Sequence, residues 1–323
     1  MGPSNNSTVT EFIIAGFSGI HHVWPVLFTL LLVAYLLIII GNLVVFLVIQ
    51  LRPRLHVPMY FFISVLSFLE LWYTAVTIPK MLSNLLDTKK SISFSGCFLQ
   101  VYFFHSLGIT EVFLLTTMAY DRYLAICTPL HYPVIMTSQY GNKLTTACWI
   151  LGFLYRLPEV ILISHLPFCG PNVIEHIFCD LSPLLTLACT DTSRIIILDF
   201  AVNACMISVN VLLIVLSYIK IIQVVLNIQS SEGRRKAFST CATHLIVVMM
   251  FFGSVGFMYI RLTKTYSLNY DKTFAVVYSV ITPLCNPVIY SLRNKEIREA
   301  IWKIVIRRQT STKQDQVCNV LSH

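Results

Sequence analysis

Between Phe98 and Tyr123 the chain reads FLQVYFFHSLGITEVFLLTTMAYDRY. This stretch is long and apolar enough to cross a bilayer core, which takes roughly 20 residues of helix. It ends on an acid–base pair, Asp121-Arg122, and carries a second acid, Glu111, near its middle. Ionisable groups at membrane depth are costly, so each one needs a physical reason to be there. Six more apolar runs accompany it, and the seven candidate spans are about 25–49, 58–80, 98–122, 143–163, 196–220, 237–260 and 273–292. The expected fold is therefore an all-α membrane protein, a seven-transmembrane helix bundle followed by a short amphipathic helix.

Composition supports that reading. A mean hydropathy of +0.74 with 56% hydrophobic and 12% charged residues excludes an ordinary soluble domain and excludes disorder. Seven spans and their loops use most of the 323 residues, leaving residues 1–24 as an outer tail, 25–293 as the membrane domain and 294–323 as an amphipathic helix and tail. The N-terminus lacks the charged, apolar and small-residue order of a cleavable leader, so the first span is expected to act as an uncleaved signal anchor. The net charge of +8 is distributed by topology: of 23 basic residues, 15 fall on the side of Arg122 and the C-terminus, among them Arg234, Arg235, Lys236 and Arg298. The positive-inside rule then places the C-terminus in the cytoplasm and the N-terminus outside. The basic excess faces lipid and needs no nucleic acid.

Two overlapping glycosylation acceptors begin at Asn5 and Asn6, on the side expected to be outside. Cys97, Cys169, Cys179 and Cys189 fall in that oxidising space, where four cysteines permit three pairings. Cys127, Cys148, Cys205, Cys241, Cys285 and Cys318 fall in the membrane or cytoplasm and are expected as free thiols.

Helix geometry connects the charged positions. At 100° per residue, Leu115, Glu111, Gly108 and Phe104 share the Arg122 face of the third span, with Glu111 roughly 16 Å outward of Arg122. Asp121 is placed to hold the Arg122 guanidinium in a charge-assisted pair. Glu70, near the middle of the second span, faces the same difficulty as Glu111, and two neighbouring carboxylates do not both ionise without a cation between them. Pro287 removes a backbone donor and kinks the seventh span. His244, two turns into the sixth, suits an interhelical hydrogen bond. Arg156 and Glu159 form an i,i+3 pair expected to satisfy itself at the interface, with Arg156 snorkelling outward. After Asn294, the residues Ile297, Ala300, Ile301, Ile304 and Val305 recur at helical spacing against Lys295, Arg298, Lys303, Arg307 and Arg308, the pattern of a helix lying along the membrane.

Four motifs resemble the signatures of vertebrate olfactory receptors within the rhodopsin-like G-protein-coupled receptors, in their tetrapod-type branch. They are PMYFF with LSFLE (Pro58–Phe62 and Leu66–Glu70), MAYDRYLAIC (Met118–Cys127), KAFSTCATHL (Lys236–Leu245) and PLCNPVIYSLRN (Pro283–Asn294). The chain departs from the family's usual residues at Glu70, Phe252 and Cys285, where Asp, Tyr and Leu are commoner. The resemblance implies a G-protein switch built from Asp121, Arg122, Tyr123, Tyr218, His244, Asn286, Pro287 and Tyr290. It implies disulfides Cys97–Cys179 and Cys169–Cys189, and a sodium-like site at Glu70 and Glu111, for which a protonated pair is the alternative. No other cofactor is expected.

The ligand pocket carried over from the resemblance lies roughly 26 Å outward of Arg122. Its residues are Phe104, His105, Gly108, Ile109, Val202, Met206, Phe252, Val255, Tyr259 and Ser279, a set suited to small, neutral or weakly polar volatiles. The implied function is an odorant receptor at the plasma membrane that activates a Gs-type olfactory G protein and raises cAMP. Arrestin, receptor kinases, trafficking chaperones and membrane lipids are its further implied partners. The alternatives are a transporter or channel, for which no internal repeat or broken half-helix pair stands out, and an odorant-type chemosensor working outside the nose. An enzyme is not expected: there is no phosphate loop, His-Glu-x-x-His signature or nucleophile elbow.

Overall fold

The computed structural model describes residues 9–16, 23–87, 89–169, 171–259, 268–294 and 296–303, with the backbone alone at 236, 240, 257–259, 268–271, 292 and 293. Seven long helices carry the chain: α1 (Trp24–Leu51), α2 (Pro58–Leu86), α3 (Phe94–Cys127), α4 (Ser138–Ser164), α5 (Ser193–Leu226), α6 (Ser231–Tyr259) and α7. The last is continuous through three segments, Leu268–Val276, a π-helical turn Val277–Ile281, and Thr282–Arg293. All seven are long and apolar enough to cross a membrane. Each expected span lies inside or nearly inside its helix, and the helices run past the apolar runs at most ends.

Local signals fix those ends. Pro25 and Pro58 stand in the first turns of α1 and α2, where the missing N–H is no loss and φ is already helical. Ser93 caps α3 by accepting from the Gly96 N–H at 3.1 Å, and Thr137 caps α4 by accepting from Tyr140 at 3.2 Å. With 34 residues, α3 runs about 50 Å, so both its ends stand clear of the hydrocarbon core. It is also the central helix. Its most apolar stretch is 72% buried, against 28% for those of α1, α4 and α5, whose outward leucines form a lipid-facing surface.

One end of the bundle carries structure that helical patterning did not signal. Strand β1 (Glu11–Ile14) of the N-terminal tail pairs antiparallel with β2 (Ser91–Ser93) and parallel with β3 (Val173–Ile174). Phe12 and Ile14 are buried beneath it, and Phe12 stands against the rings of Phe94 and Phe168. Disulfides Cys97–Cys179 and Cys169–Cys189 tie the segment between α4 and α5 to α3 and to itself. At the opposite end, Asn294 accepts from the backbone of Glu296 and Ile297 and starts the helix α8 (296–303). Ile297 is buried, Ala300 and Ile301 lie against the core, and Arg298, Trp302 and Lys303 are exposed. Ile304, Val305, Arg307, Arg308 and Cys318 lie outside the described residues, as do Lys295, Asn5 and Asn6.

Candidate functional site

A small cavity opens between α2, α3, α4, α5, α6 and α7 toward the sheet-bearing end of the bundle. It holds about 450 Å³ of non-atom space, which limits an occupant to a small molecule. From α3 it is lined by Phe104, His105, Gly108, Ile109 and Val112, and from α5 and α6 by Met206, Ile207, Phe251 and Val255. Tyr73 and Tyr278 close it from α2 and α7. The aromatic wall is continuous, since Phe104 stacks on Tyr73 at 5.0 Å and lies 5.5 Å from Tyr278, centroid to centroid.

Six of the ten expected pocket residues thus meet at one cavity, and Val202, Phe252 and Ser279 do not line it. On α5 the buried stripe is Asn203, Ile207, Asn210, Ile214 and Tyr218, at spacings of three and four. Val202 is one position off that stripe. It is exposed to the lipid side, and its carbonyl accepts from the Tyr155 hydroxyl at 3.0 Å. On α6 the wall residue is Phe251, and Phe252 packs edge-on against it. On α7 the π turn adds a residue to the local repeat. Tyr278 then faces the cavity, while Ser279 is buried and donates to the Ala275 carbonyl. The Tyr259 side chain lies outside the described residues.

His105 is both a wall residue and a tether. Its Nε2 lies 2.8 Å from Oδ1 of Asp180, in the segment after Cys179, and both groups are buried. Asp180 Oδ1 also accepts from the Leu181 N–H at 2.7 Å, capping the short helix Leu181–Thr186. Burial pushes the Asp180 carboxyl up, but the hydrogen bond and positive charge of His105, the nearby His176 and the Leu181 N–H outweigh it and hold it at about 2.

Arg156 does not snorkel. It is 3% exposed, its Nη1 pairs with Glu159 and with Asp199 of α5 at 2.8 Å, and its Nη2 donates to Asn203 Oδ1 at 3.0 Å. The sequence signal was Asp199 in the next span, spaced to meet an inward arginine on α4. Two carboxylates on adjacent helices provide more for a guanidinium than an interface position does.

Deeper in the bundle, Glu70 and Glu111 are fully or almost fully buried and lie within hydrogen-bonding reach of one another. Asn286 Nδ2 donates to Glu70, and Asn42 Nδ2 donates to the Pro283 carbonyl at 3.2 Å. Glu70 Oε2, Glu111 Oε1, Asn42 Oδ1 and Asn286 Oδ1 have no hydrogen-bond partner. These are hard oxygen donors of the kind a sodium ion takes, and they suit a proton shared between the acids equally well.

At the far end the Asp121–Arg122 pair is not formed. Asp121 Oδ1 accepts instead from the Tyr132 hydroxyl at 2.9 Å, from the one-turn helix Tyr132–Ile135. Burial first, and then the Asp121 charge, push the Tyr132 hydroxyl up. Arg122 keeps an unpartnered Nε and lines a cleft of about 380 Å³ with Ile63, Thr243, His244, Tyr290 and Asn294. His244 links three helices. Its Nε2–H donates to the Leu115 carbonyl at 3.2 Å, so its Nδ1 accepts from the Tyr218 hydroxyl at 2.8 Å. Tyr290 is buried with its hydroxyl unpartnered, Pro287 packs close to Gly41 of α1, and Tyr123 is half-buried against the core.

Comparison with known proteins agrees with this architecture. A family model described as olfactory receptor matches residues 31–308. Human olfactory receptor 6N1 is 59% identical over 301 residues, covering 93% of this chain and 96% of its own length. Human olfactory receptor 6K2 is 54% identical over 308 residues, with 94% of each chain covered. Mouse olfactory receptor 6B9 is 46% identical over 301 residues, covering 93% of this chain and 95% of its own.

Proposed function

The chain belongs to the olfactory receptor family, and on that premise we propose that it takes a small volatile ligand into the cavity between α3, α5 and α6 and answers by activating a Gs-type G protein. As a member of that family it is a multi-pass membrane receptor for odorants, coupled to G proteins, and not an enzyme. The observation that carries the finer reading is the α3 face. Phe104 and Gly108 at the cavity, Glu111 at the buried acids, Leu115 at the His244 bond and Arg122 at the cleft follow one another along it. A ligand that presses on Phe104, Phe251 and Tyr278 bears on the helices whose other ends surround Arg122. Release of the Tyr218–His244–Leu115 bonds would free α6 to move and expose Arg122 to a partner.

The charge distribution supports an orientation with the sheet outside and Arg122 in the cytoplasm. Glu70, Glu111, Asn42 and Asn286 would hold a sodium ion if one binds, and the ion would supply positive charge that lets both acids ionise. Without it, one acid keeps its proton and donates to the other.

The test is cAMP in cells expressing the chain with an olfactory-type Gs subunit, screened against varied volatiles beside an Arg122→Ala variant at matched surface expression. The expected result is a ligand-dependent rise that the variant lacks. A response that survives both the Arg122 change and removal of the G protein would rule out this mechanism.

A further inference from the structure

A second hollow lies at the Arg122 end of the bundle, where α1 ends and α2 and α4 begin. It holds about 560 Å³ of non-atom space and shares no residue with the ligand cavity or the Arg122 cleft. Ile49, Leu55 and Phe61 form its apolar side, and Gln50, His56, Ser64, Thr137, Ser138 and Asn142 its polar side. Gln50 Nε2 donates to Ser64 Oγ at 3.4 Å, and His56 Nε2–H donates to the Gln50 carbonyl at 3.0 Å. The Thr137 hydroxyl accepts from the Tyr140 N–H and so keeps its own O–H to donate. The first residues of α2 and α4, Pro58 and Ser138, both reach the lining, which brings two helix N-termini to one place. Inward of the hollow the same helices carry an aromatic shelf. Phe46 is one turn from Gln50 on α1, Phe68 one turn from Ser64 on α2, and Trp149 two turns from Asn142 on α4. Their rings meet in sequence, Phe46 to Phe68 at 6.0 Å and Phe68 to Trp149 at 6.2 Å, and Phe68 is exposed on the lipid side.

We propose that this groove binds an anionic phospholipid, with the phosphate oxygens among the polar residues of the hollow and an acyl chain along Phe68 and Trp149. Charge selects the headgroup. His56 is the one titratable side chain in the lining, Arg52 and Arg54 stand in the turn before it, and Lys143 follows Asn142 on α4. Residues 43–69 and 128–155, which build the groove and its shelf, contain no acid. The acids on neighbouring elements are engaged elsewhere: Asp121 with the Tyr132 hydroxyl, Glu70 with Glu111 and Asn286, and Glu296 with the Tyr60 hydroxyl, outside the lining. Glu299 lies with Glu296 on α8. A sterol offers a single hydroxyl to six polar side chains, and a zwitterionic lipid brings its ammonium toward Arg52, Arg54 and Lys143. A phosphate with a net negative charge meets donors and cations together. Anionic lipids reside in the cytoplasmic leaflet, the side on which the charge distribution puts the Arg122 end. Occupancy needs neither odorant nor G protein.

The experiment measures quenching of tryptophan fluorescence in nanodiscs by phosphatidylserine or phosphatidylcholine carrying a brominated acyl chain, in a bilayer otherwise of unlabelled phosphatidylcholine. Trp24→Phe and Trp302→Phe leave Trp72 and Trp149, which stack at 5.7 Å on the shelf, as the reporters. Both leaflets carry the same lipid, so the result does not depend on which way the chain faces. The expected result is half-maximal quenching at about a 5-fold lower mole fraction of phosphatidylserine than of phosphatidylcholine. Ser138→Glu puts a carboxylate in the first turn of α4, where the helix end favours it, and Asn142→Glu puts one a turn further on. Either should abolish the difference between the lipids. Gln223→Glu adds the same charge at an exposed position of α5 outside the groove and should leave the difference intact. Equal quenching by the two lipids before any of these charge changes would overturn the proposal. So would a preference that survives both groove variants, or one that Gln223→Glu lowers equally. Cholesterol or inorganic phosphate that relieves the quenching as well as unlabelled phosphatidylserine does would also overturn it, by showing a sterol site or a free-anion site.

Discussion

Asp180 accepts from the His105 ring and from the Leu181 backbone while fully buried, so its charge is supported from two sides of the loop that covers the cavity. Its carboxyl sits at about 2, below its ordinary value of 3.8. A depressed acid contributes stability that is fully present above the unfolded value and is lost as pH falls through the folded one. The difference amounts to about 2 kcal/mol. Asp180→Asn should therefore lower thermal stability in nanodiscs by that order at pH 7, and the gap from wild type should stay flat down to about pH 5. Below about pH 4 the gap should close as the wild-type carboxyl protonates. A gap that instead widens on acidification would show that Asp180 is not held as a carboxylate. The place of His105 on the inward face of α3 was legible in the sequence, but its partner was not, because the two are 75 positions apart and joined only by the fold.

At the scale of helices, two contacts set how α3 meets its neighbours. Gly152 of α4 crosses α3 so closely that a Cβ there would strike Thr110 Oγ1 and the Ser106 carbonyl, the same pair that hydrogen-bond to each other at 2.8 Å. Gly152→Ala should cost about 1–3 kcal/mol through overpacking. It would read as a lower Tm and reduced surface expression, while a wild-type Tm would mean that the crossing opens freely. On the other side, His244 ties α6 to α3 and α5. His244→Ala breaks both bonds and should raise ligand-independent cAMP per surface receptor several-fold, and unchanged basal signalling would mean that α6 is held by packing alone. The seven helices were legible because a bilayer imposes one long apolar period on each span. Facing residues were legible where α-helical geometry holds, as from Phe104 to Arg122 and at Met206 and Val255, and were off by one position at Val202 on α5, Phe252 on α6 and Ser279 on α7. There the register depends on packing and, in α7, on a π turn that composition does not signal. The strand pairing of β1 was illegible because its partners are a two-residue and a three-residue strand on distant loops.

The molecule as a whole is asymmetric along its axis, with a covered end and an open one. The cover is three short strands and two disulfides, and neither the strands nor the loop could hold position unaided, since such short pairings are marginal in water. The two bridges differ in the chain they close: Cys97–Cys179 spans 82 residues and Cys169–Cys189 spans 20. In the chain-entropy account this corresponds to about 4.5 and about 3 kcal/mol respectively. Position sharpens the difference. Cys179 is buried next to Gln100, whose side chain accepts from the Cys179 N–H at 2.9 Å, and is followed directly by Asp180 over the cavity. Cys169 and Cys189 instead close the loop on itself beside the Phe168–Ala188 bridge. Cys97→Ser should therefore abolish surface expression, whereas Cys169→Ser should leave a reduced but measurable population that still binds ligand with weakened affinity. Flow cytometry of live cells with an N-terminal epitope checks both at once, because the epitope stains intact cells only if the sheet-bearing end faces outward. Equal surface levels for the two variants would mean that the cover is held by the strands, and staining that requires permeabilised cells for the wild type would reverse the orientation.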